Sequence, residues 1–200
     1  STQAKTLFPY TTLFRSSRTM LGAAQEQWFT EGITRSSKRW KLVAQSTQMS
    51  SSGINTPLGR SAFTDGWDGY PQARARLLGT VAQAGLKDVV VLGGDVHMNV
   101  AAQLRVQPGD EKSPIVASEL VTTSITSRGL GEKLLTQIRD SNPDILHARS
   151  DERGYTWLEV KPQGISAQFR TTPNPAKADG VFKTQAQFRI QAGVAGVQKA

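Results

Sequence analysis

The sequence contains no cysteine, two histidines and no long hydrophobic run. The absence of cysteine excludes disulfide bonds and thiolate metal sites within these 200 residues. A transmembrane helix needs about 18 or more consecutive apolar residues, and no stretch of this sequence approaches that length. The hydrophobic content of 38% and the charged content of 20% are typical of a globular domain with a sizeable core.

Acidic residues are too few to balance the basic ones. Lysine and arginine number 24 against 16 aspartates and glutamates, which gives a formal net charge of +8. The excess fits an ordinary solvated surface, a surface that attracts anionic substrates, or a surface that binds nucleic acid. The basic residues are scattered, without an alternation of aromatic and basic residues, so specific nucleic-acid binding is the least favoured of the three.

Hydrophobic periodicity predicts alternating helices and strands in the first part of the chain. A helix is expected after Thr19, with Leu21, Trp28 and Phe29 on its apolar side. The other expected elements are a helix at 71–84, a short helix at 132–139, a long loop at 46–68, and strands at 40–45, 89–92, 100–106 and 115–121.

The last part of the chain is rich in predicted strands. Residues 155–160, 165–171 and 186–191 are expected to form an antiparallel set, with a turn at 162–164. Because helices alternate with strands early and strands dominate late, we predict a mixed α/β fold (α/β with α+β character) in which two sheets have helices packed outside them.

The stretch VVVLGGDVHMNVAA, residues 89–102, carries the clearest candidate site. Asp95 and His97 follow an apolar strand, and ligands of α/β sheets bind at the carboxyl ends of such strands. Both side chains would project to the same side if the backbone stayed extended. A carboxylate with an imidazole suits Zn, Fe or Mn, and the carboxylate also suits Ca. Because tight sites have about four or more donors, the pair is predicted to be half of a metal site.

A short Asp-x-His pattern also has a plain structural interpretation. Asp95 could serve as a turn residue and His97 as a strand-end histidine with ordinary hydrogen bonds. The Gly93-Gly94 pair before them and the small residues after them favour a metal-binding loop.

The segment LGGDVHMNVAA resembles the GDVH loop of PhoD-like alkaline phosphatases and phosphodiesterases, within the metallophosphoesterase superfamily. The similarity to the C-terminal half of that family extends over about residues 18–193. The other similar segments, in order, are RTMLGAAQEQWF (18–29), WKLVAQ (40–45), DGWDGYPQAR (65–74), SELVTTSITSRG (118–129) and RGYTWLEV (153–160).

The resemblance implies the C-terminal half of a four-layer αββα sandwich with a metal centre between its sheets. It implies metal-dependent hydrolysis of phosphate monoesters or diesters with Ca and Fe as cofactors, although other divalent metals remain open. Such cations neutralise developing charge on phosphoryl oxygens and lower the pKa of bound water. Asp95 and His97 are the implied metal ligands. The implied partner is a phosphate ester rather than specific nucleic acid or a membrane, and the full-length form is expected to be a monomer.

Several family features are missing from this sequence. The family's upstream aspartates, its iron-binding cysteine and tyrosine and its GNHE-like loop have no counterpart, so we expect a truncated and inactive fragment. Residues 6–16, TLFPYTTLFRS, match a translation of common sequencing-adapter DNA. We therefore expect residues 1–16 to be non-native and residues 17–200 to be the C-terminal part of one catalytic domain. The family also implies export to the periplasm or cell surface, although this sequence shows no signal.

Local departures from the family concern three places. Gly93 stands where relatives often have Thr, Met98-Asn99 replaces a more usual Ser pair, and Asp144 stands where relatives often have His. These changes leave the roles of Asn99 and of the loop at 142–144 open, because Asn is also a common turn residue.

Further residues are candidates for substrate contact or for support of the metal ligands. These candidates are Asn99, Trp67, Tyr70, Glu119 and Ser124, with Asp68 and Ser127 beside them. Packing of the aromatic side chains and solvation of the polar ones are the alternatives. His147 is expected to lie on the surface in a polar loop.

Two other functions compete with the phosphoesterase hypothesis. One is a non-catalytic basic domain that binds anions or nucleic acid, as suggested by the charge of +8. The other is a structural domain without catalysis.

Overall fold

The computed structural model describes residues 18–177 and 180–200. The expectation of a non-native segment at residues 1–16 lies outside these residues. The described helices are α1 (Ala23–Arg35), α2 (Pro71–Gln83) and α3 (Glu132–Ser141), with a short 3-10 helix at Trp67–Gly69. The described strands are β1 (Lys41–Ala44), β2 (Ile54–Thr56), β3 (Gly59–Ser61), β4 (Val89–Gly93), β5 (Asn99–Arg105), β6 (Ile115–Val121), β7 (Ile145–Arg149), β8 (Arg153–Lys161), β9 (Gly164–Thr172), β10 (Lys183–Gln191) and β11 (Gln198–Lys199).

Two sheets organise these strands. The first has five strands in the order β1-β4-β6-β5-β7. Strands β1, β4 and β6 are parallel, β5 pairs antiparallel with β6, and β7 pairs antiparallel with β5. The second sheet is antiparallel, in the order β11-β10-β9-β8. A small hairpin of β2 and β3 stands apart from both.

The first sheet is covered on both faces. On one face Val89 and Val91 of β4 pack against α1 and α2, and Val100 and Ala102 of β5 pack against α3. On the other face a core of residues from both sheets is buried: Val90, Ala101, Leu120, Ile165, Ala167, Phe169, Phe188, Ile190 and Val197. Burial on both faces explains the uninterrupted apolar run of β4.

The structure confirms the predicted mixed α/β fold with two sheets. The helices at 71–84 and 132–139 and the strands at 89–92, 100–106 and 115–121 are confirmed to within a few residues. The described residues form three of the expected four layers, because all three described helices cover the first sheet. The outer face of the second sheet exposes Tyr155 and Trp157, which are 45% and 43% accessible. No described helix is long and apolar enough to cross a membrane.

Two predictions of local structure were wrong. Trp28 was placed on the apolar side of the first helix, but it is 71% exposed, and the buried residue of α1 is Ile33. The segment at 46–68 was predicted to be a loop, but it contains the β2–β3 hairpin and the 3-10 helix. The strands of this hairpin are three residues each, too short to leave a clear alternation in the sequence.

The prediction of a surface histidine at position 147 was also wrong. His147 lies in β7 and stacks on Phe169, with a ring centroid distance of 5.6 Å, and meets the edge of Phe188 at 5.7 Å. Its Nε2 is 3.3 Å from Oε1 of Gln185 in β10. The polar residues around it in sequence concealed a strand whose histidine side chain faces the second sheet.

Burial lowers the pKa of His147, and the nearby cations Arg149, Lys199 and Arg139 lower it further, while the hydrogen bond to Gln185 opposes the shift. The unfolded chain therefore binds a proton more readily than the folded chain below about pH 6.5.

We predict that the free energy of unfolding falls as pH drops from about 6.5 towards the lowered pKa of His147. The measurement is urea denaturation across pH. A His147→Phe variant should lose part of this slope, and an unchanged slope would contradict the prediction.

Candidate metal-binding site

The loops that follow three parallel strands lie together at one edge of the first sheet. Strands β1, β4 and β6 end at Ala44, Gly93 and Val121, and their carboxyl ends lie side by side. Backbone hydrogen bonds continue the pairing past the strands, from the Gln45 amide to the Leu92 carbonyl and from the Thr122 amide to the Gly93 carbonyl, each 3.0 Å. The loop that carries Asp95 and His97 therefore lies between the loops that begin at Gln45 and Thr122.

The backbone of the loop after β4 is not extended. Asp95 and His97 have φ angles of 70° and 55°, and they are the non-glycine residues with positive φ in the described chain. The Val96 amide donates to the Gly94 carbonyl at 2.8 Å, which closes a tight turn around Asp95. The extended conformation considered from the sequence is thus wrong. Aspartate and histidine are among the residues that best tolerate this left-handed region.

The Asp95 side chain is held from the β1 side of the loop. The Thr47 hydroxyl donates to Asp95 Oδ2 at 3.2 Å. Thr47 is 7% exposed, whereas Asp95 is exposed to solvent. No described residue makes a hydrogen bond to Asp95 Oδ1, so this oxygen is available as a donor atom for a cation.

The His97 side chain is held from the opposite side, by the loop after β6. Its Nδ1 lies 3.0 Å from the backbone carbonyl of Arg128. A carbonyl oxygen can only accept, so this contact favours the tautomer with the hydrogen on Nδ1, in which Nε2 carries the lone pair. This is the usual arrangement of a histidine that binds a metal through Nε2 and is oriented by a backbone carbonyl.

The loop that supplies this carbonyl is fastened at several points. Asn99 Oδ1 accepts the Thr123 amide at 2.9 Å, and the Ser150 hydroxyl donates to the Leu130 carbonyl at 2.6 Å. Gly129 lies where a Cβ atom would collide with the Ser150 carbonyl and come within 2.8 Å of the His97 carbonyl. The close fit at Gly129 therefore determines where the Arg128 carbonyl meets His97.

Glu119 acts on the site indirectly. Its side chain is fully buried on β6 and accepts the amide hydrogens of Met49 and Ser50, at 2.5 and 2.8 Å. Burial raises the pKa of Glu119, and these hydrogen bonds together with Arg74 oppose the rise. Glu119 therefore anchors the segment next to Thr47 rather than contacting Asp95 or His97.

The other predicted site residues lie around the loops. Trp67 is 2% exposed, with its indole N–H donating to Gln45 Oε1 at 3.1 Å. Tyr70 is half-buried beneath the Arg18 guanidinium, 4.6 Å from its ring centroid. Ser124 donates its hydroxyl to the Ser127 carbonyl at 2.6 Å within their own loop.

The two remaining candidates, Asn99 and Asp68, are held by hydrogen bonds to neighbouring elements. Asn99 is fully buried, and its amide also donates to Gln185 Oε1 at 3.1 Å, so it links the start of β5 to the second sheet. Asp68 accepts from Arg74 at 2.8 Å and from the Ser52 amide at 2.9 Å. Their roles in binding substrate stay predictions.

The loop after β4 carries one carboxylate and one imidazole. Among the described residues, no group of three or more acidic or histidine side chains lies close enough together to hold a metal ion. Sequence reasoning missed Thr47, Gln45 and the Arg128 carbonyl. The side chains are too common in loops to stand out, and a backbone carbonyl leaves no trace in sequence. The sequence predicts strands at 40–45 and 89–92 but not their pairing, so it gave no signal that Gln45 and Thr47 would lie beside the loop after β4.

The fold and this loop define a two-sheet α/β protein with a carboxylate and an imidazole at the carboxyl end of a parallel strand. Comparison with known proteins extends the result. The family model described as PhoD-like phosphatase matches residues 2–169. Alkaline phosphatase D of Bacillus subtilis (strain 168) is 35% identical over 185 residues, which is 91% of this chain and 32% of that protein. A solved structure titled "Structure of PhoD" matches with a TM-score of 0.87 and 32% identity, over 96% of this chain and 37% of that one.

This chain belongs to the PhoD-like phosphatase family. It spans about a third of the length of the relatives it matches. The predicted resemblance to this family is confirmed by both sequence and structure.

We predict that Gly129→Ala frees the His97 ring, because the added Cβ must push the loop away from Ser150 and move the Arg128 carbonyl. Two-bond ¹H–¹⁵N correlation spectra report the tautomer of His97. The parent should show Nδ1–H, and the variant should show a mixture of tautomers. Gly131→Ala is the matched control, since its φ is −66° and a Cβ there meets no atom within 4 Å. An unchanged His97 spectrum in Gly129→Ala would contradict this account of the loop.

Proposed function

We propose that the complete protein is a metal-dependent phosphoesterase that hydrolyses phosphate monoesters or diesters, and that Asp95 and His97 are two of its metal ligands. The observation that carries the proposal is the geometry of their loop. Each side chain is held by one hydrogen bond, to Thr47 or to the Arg128 carbonyl, and each keeps a donor atom free. Membership of the PhoD-like phosphatase family supports the reaction class.

The donor set fits the metals that the family resemblance suggests. An imidazole nitrogen suits Fe, Zn or Mn, and a carboxylate oxygen suits these metals as well as Ca. A bound cation would neutralise developing charge on phosphoryl oxygens and make water a better nucleophile near neutral pH. We propose Fe and Ca as cofactors, with other divalent metals as the alternative.

This chain's residues prepare the site in three ways. Thr47 and the Arg128 carbonyl orient the two ligand side chains, so that less conformational freedom is lost when a cation binds. The tight turn at Gly94–Val96 fixes the backbone conformation of Asp95. The net charge of +8 favours the approach of an anionic ester.

Two protein donors are too few to hold a metal tightly. Since the relatives are about three times as long, we propose that further ligands come from parts of the protein that this chain does not contain, and that the chain alone is inactive. Export to the periplasm or cell surface and a monomeric state stay predictions that rest on the family resemblance.

The test is hydrolysis of p-nitrophenyl phosphate and bis-p-nitrophenyl phosphate by the protein expressed from the complete gene, with and without added Fe and Ca. We predict that Asp95→Ala lowers kcat/KM at least about 100-fold, because several kcal/mol of charge stabilisation are lost with the metal. Asp140→Ala is the control, since this aspartate is exposed on α3 and should retain full activity.

An Asp95→Ala variant as active as the parent would contradict the ligand assignment. A complete protein that hydrolyses neither ester, with any metal, would contradict the proposed function. In that case binding of DNA across a range of salt concentrations tests the alternative of a basic anion- or nucleic-acid-binding domain, because binding through phosphate contacts weakens steeply as salt rises.

A further inference from the structure

Thr47 is the residue that connects the β1 loop to the candidate metal ligand. It is buried on the loop after β1, and its hydroxyl lies 3.2 Å from Asp95 Oδ2. Since a carboxylate can only accept, the hydroxyl donates its hydrogen to Asp95. This hydrogen bond engages one of the two carboxylate oxygens.

Thr47 is itself held in place by Gln45. The Gln45 side-chain amide spans the turn, because its Oε1 accepts the Thr47 amide hydrogen at 3.1 Å and its Nε2 donates to the Thr47 carbonyl. The indole N–H of Trp67 donates to the same Oε1 at 3.1 Å. The Gln45 side chain is therefore fixed at both ends, and it fixes the backbone on both sides of the Thr47 side chain.

Gly93 allows this arrangement to sit close to the metal loop. A Cβ at Gly93 would collide with the Thr47 carbonyl and come within 2.8 Å of Gln45 Nε2. The last residue of β4 must therefore be glycine for Thr47 to approach Asp95 as it does.

We propose that Thr47 is a positioning residue that presents Asp95 to the cation through one oxygen, Oδ1, with Gln45 and Trp67 as its support. The inference rests on the proposed function, and it adds a determinant of metal preference to it. A carboxylate free to rotate can offer both oxygens, which suits the flexible, oxygen-rich coordination of Ca²⁺. Holding Oδ2 leaves one-oxygen coordination, which suits a smaller cation that also binds the imidazole of His97.

The experiment measures metal binding by the protein expressed from the complete gene, without substrate. Mn²⁺ affinity is read from the electron paramagnetic resonance signal of free Mn²⁺, and Ca²⁺ affinity from competition against Mn²⁺. Thr47→Val keeps the shape of the side chain but removes the hydroxyl, so Mn²⁺ binding should weaken about tenfold, the usual effect of removing a group that orients a ligand. Ca²⁺ binding should change less, so the preference for Mn²⁺ over Ca²⁺ should fall.

Two variants separate positioning from general structure. Thr47→Ser keeps the hydroxyl and should restore the Mn²⁺ affinity of the parent, while Thr34→Val removes an exposed helical hydroxyl that bonds to the Thr30 carbonyl and should change nothing. If Thr47→Val does not fold, Gln45→Met replaces it as the test variant. Gln45→Met keeps the Thr47 hydroxyl but removes the side-chain amide that holds the Thr47 backbone, and it should also weaken Mn²⁺ binding.

The proposal is overturned if a folded Thr47→Val binds both metals like the parent, or if Thr47→Ser loses as much affinity as Thr47→Val. In both cases hydrolysis by the parent protein would leave the proposed function standing. A parent protein that binds no metal and hydrolyses no ester would instead contradict the proposed function, and this inference would fail with it.

Discussion

The left-handed backbone at Asp95 and His97 is the constraint on which the candidate site depends. Such conformations cost on the order of 1–3 kcal/mol each and persist where surrounding contacts enforce them. Here the enforcing contacts are the turn from Val96 to Gly94 and the hydrogen bonds that reach the two side chains from Thr47 and from the Arg128 carbonyl. Backbone strain of this kind is common at binding and active sites, where a side chain must be held in position before the molecule or ion that it binds arrives.

The fold supplies these contacts through the direction of its strands. Because β1, β4 and β6 are parallel, the loops after them meet at one edge, and each loop is fastened to the layers behind it. Glu119 anchors the β1 loop from within the sheet, and Asn99 ties the β6 loop to the start of β5. Asn99 also reaches Gln185, which contacts His147 and Glu152 between the sheets. Through these hydrogen bonds the loops at the edge of the first sheet are connected to His147, whose ring packs against Phe169 and Phe188 in the core.

The sequence was enough to predict the long apolar strands, helix α2 and the position of Asp95 and His97 directly after strand β4. That these two residues bind a metal stays a prediction. These features depend on local periodicity and on an order of residues that a family shares. The conformation of the loop after β4 could not be predicted, because positive φ at Asp95 and His97 depends on contacts with distant residues such as Thr47. His147 was misplaced for a similar reason, since its polar neighbours gave no sign that strands β9 and β10 would bring Phe169 and Phe188 to its ring.

We propose that Asp95 and His97 bind the same metal centre. A crystal structure of the protein expressed from the complete gene, grown with iron and calcium, tests this if diffraction is recorded on both sides of the iron absorption edge. We expect a bound metal centre in which cations lie about 2.0–2.5 Å from Asp95 Oδ1 and from His97 Nε2, with the Thr47 and Arg128 hydrogen bonds intact. Metal bound elsewhere in the protein, with these two side chains free, would contradict it.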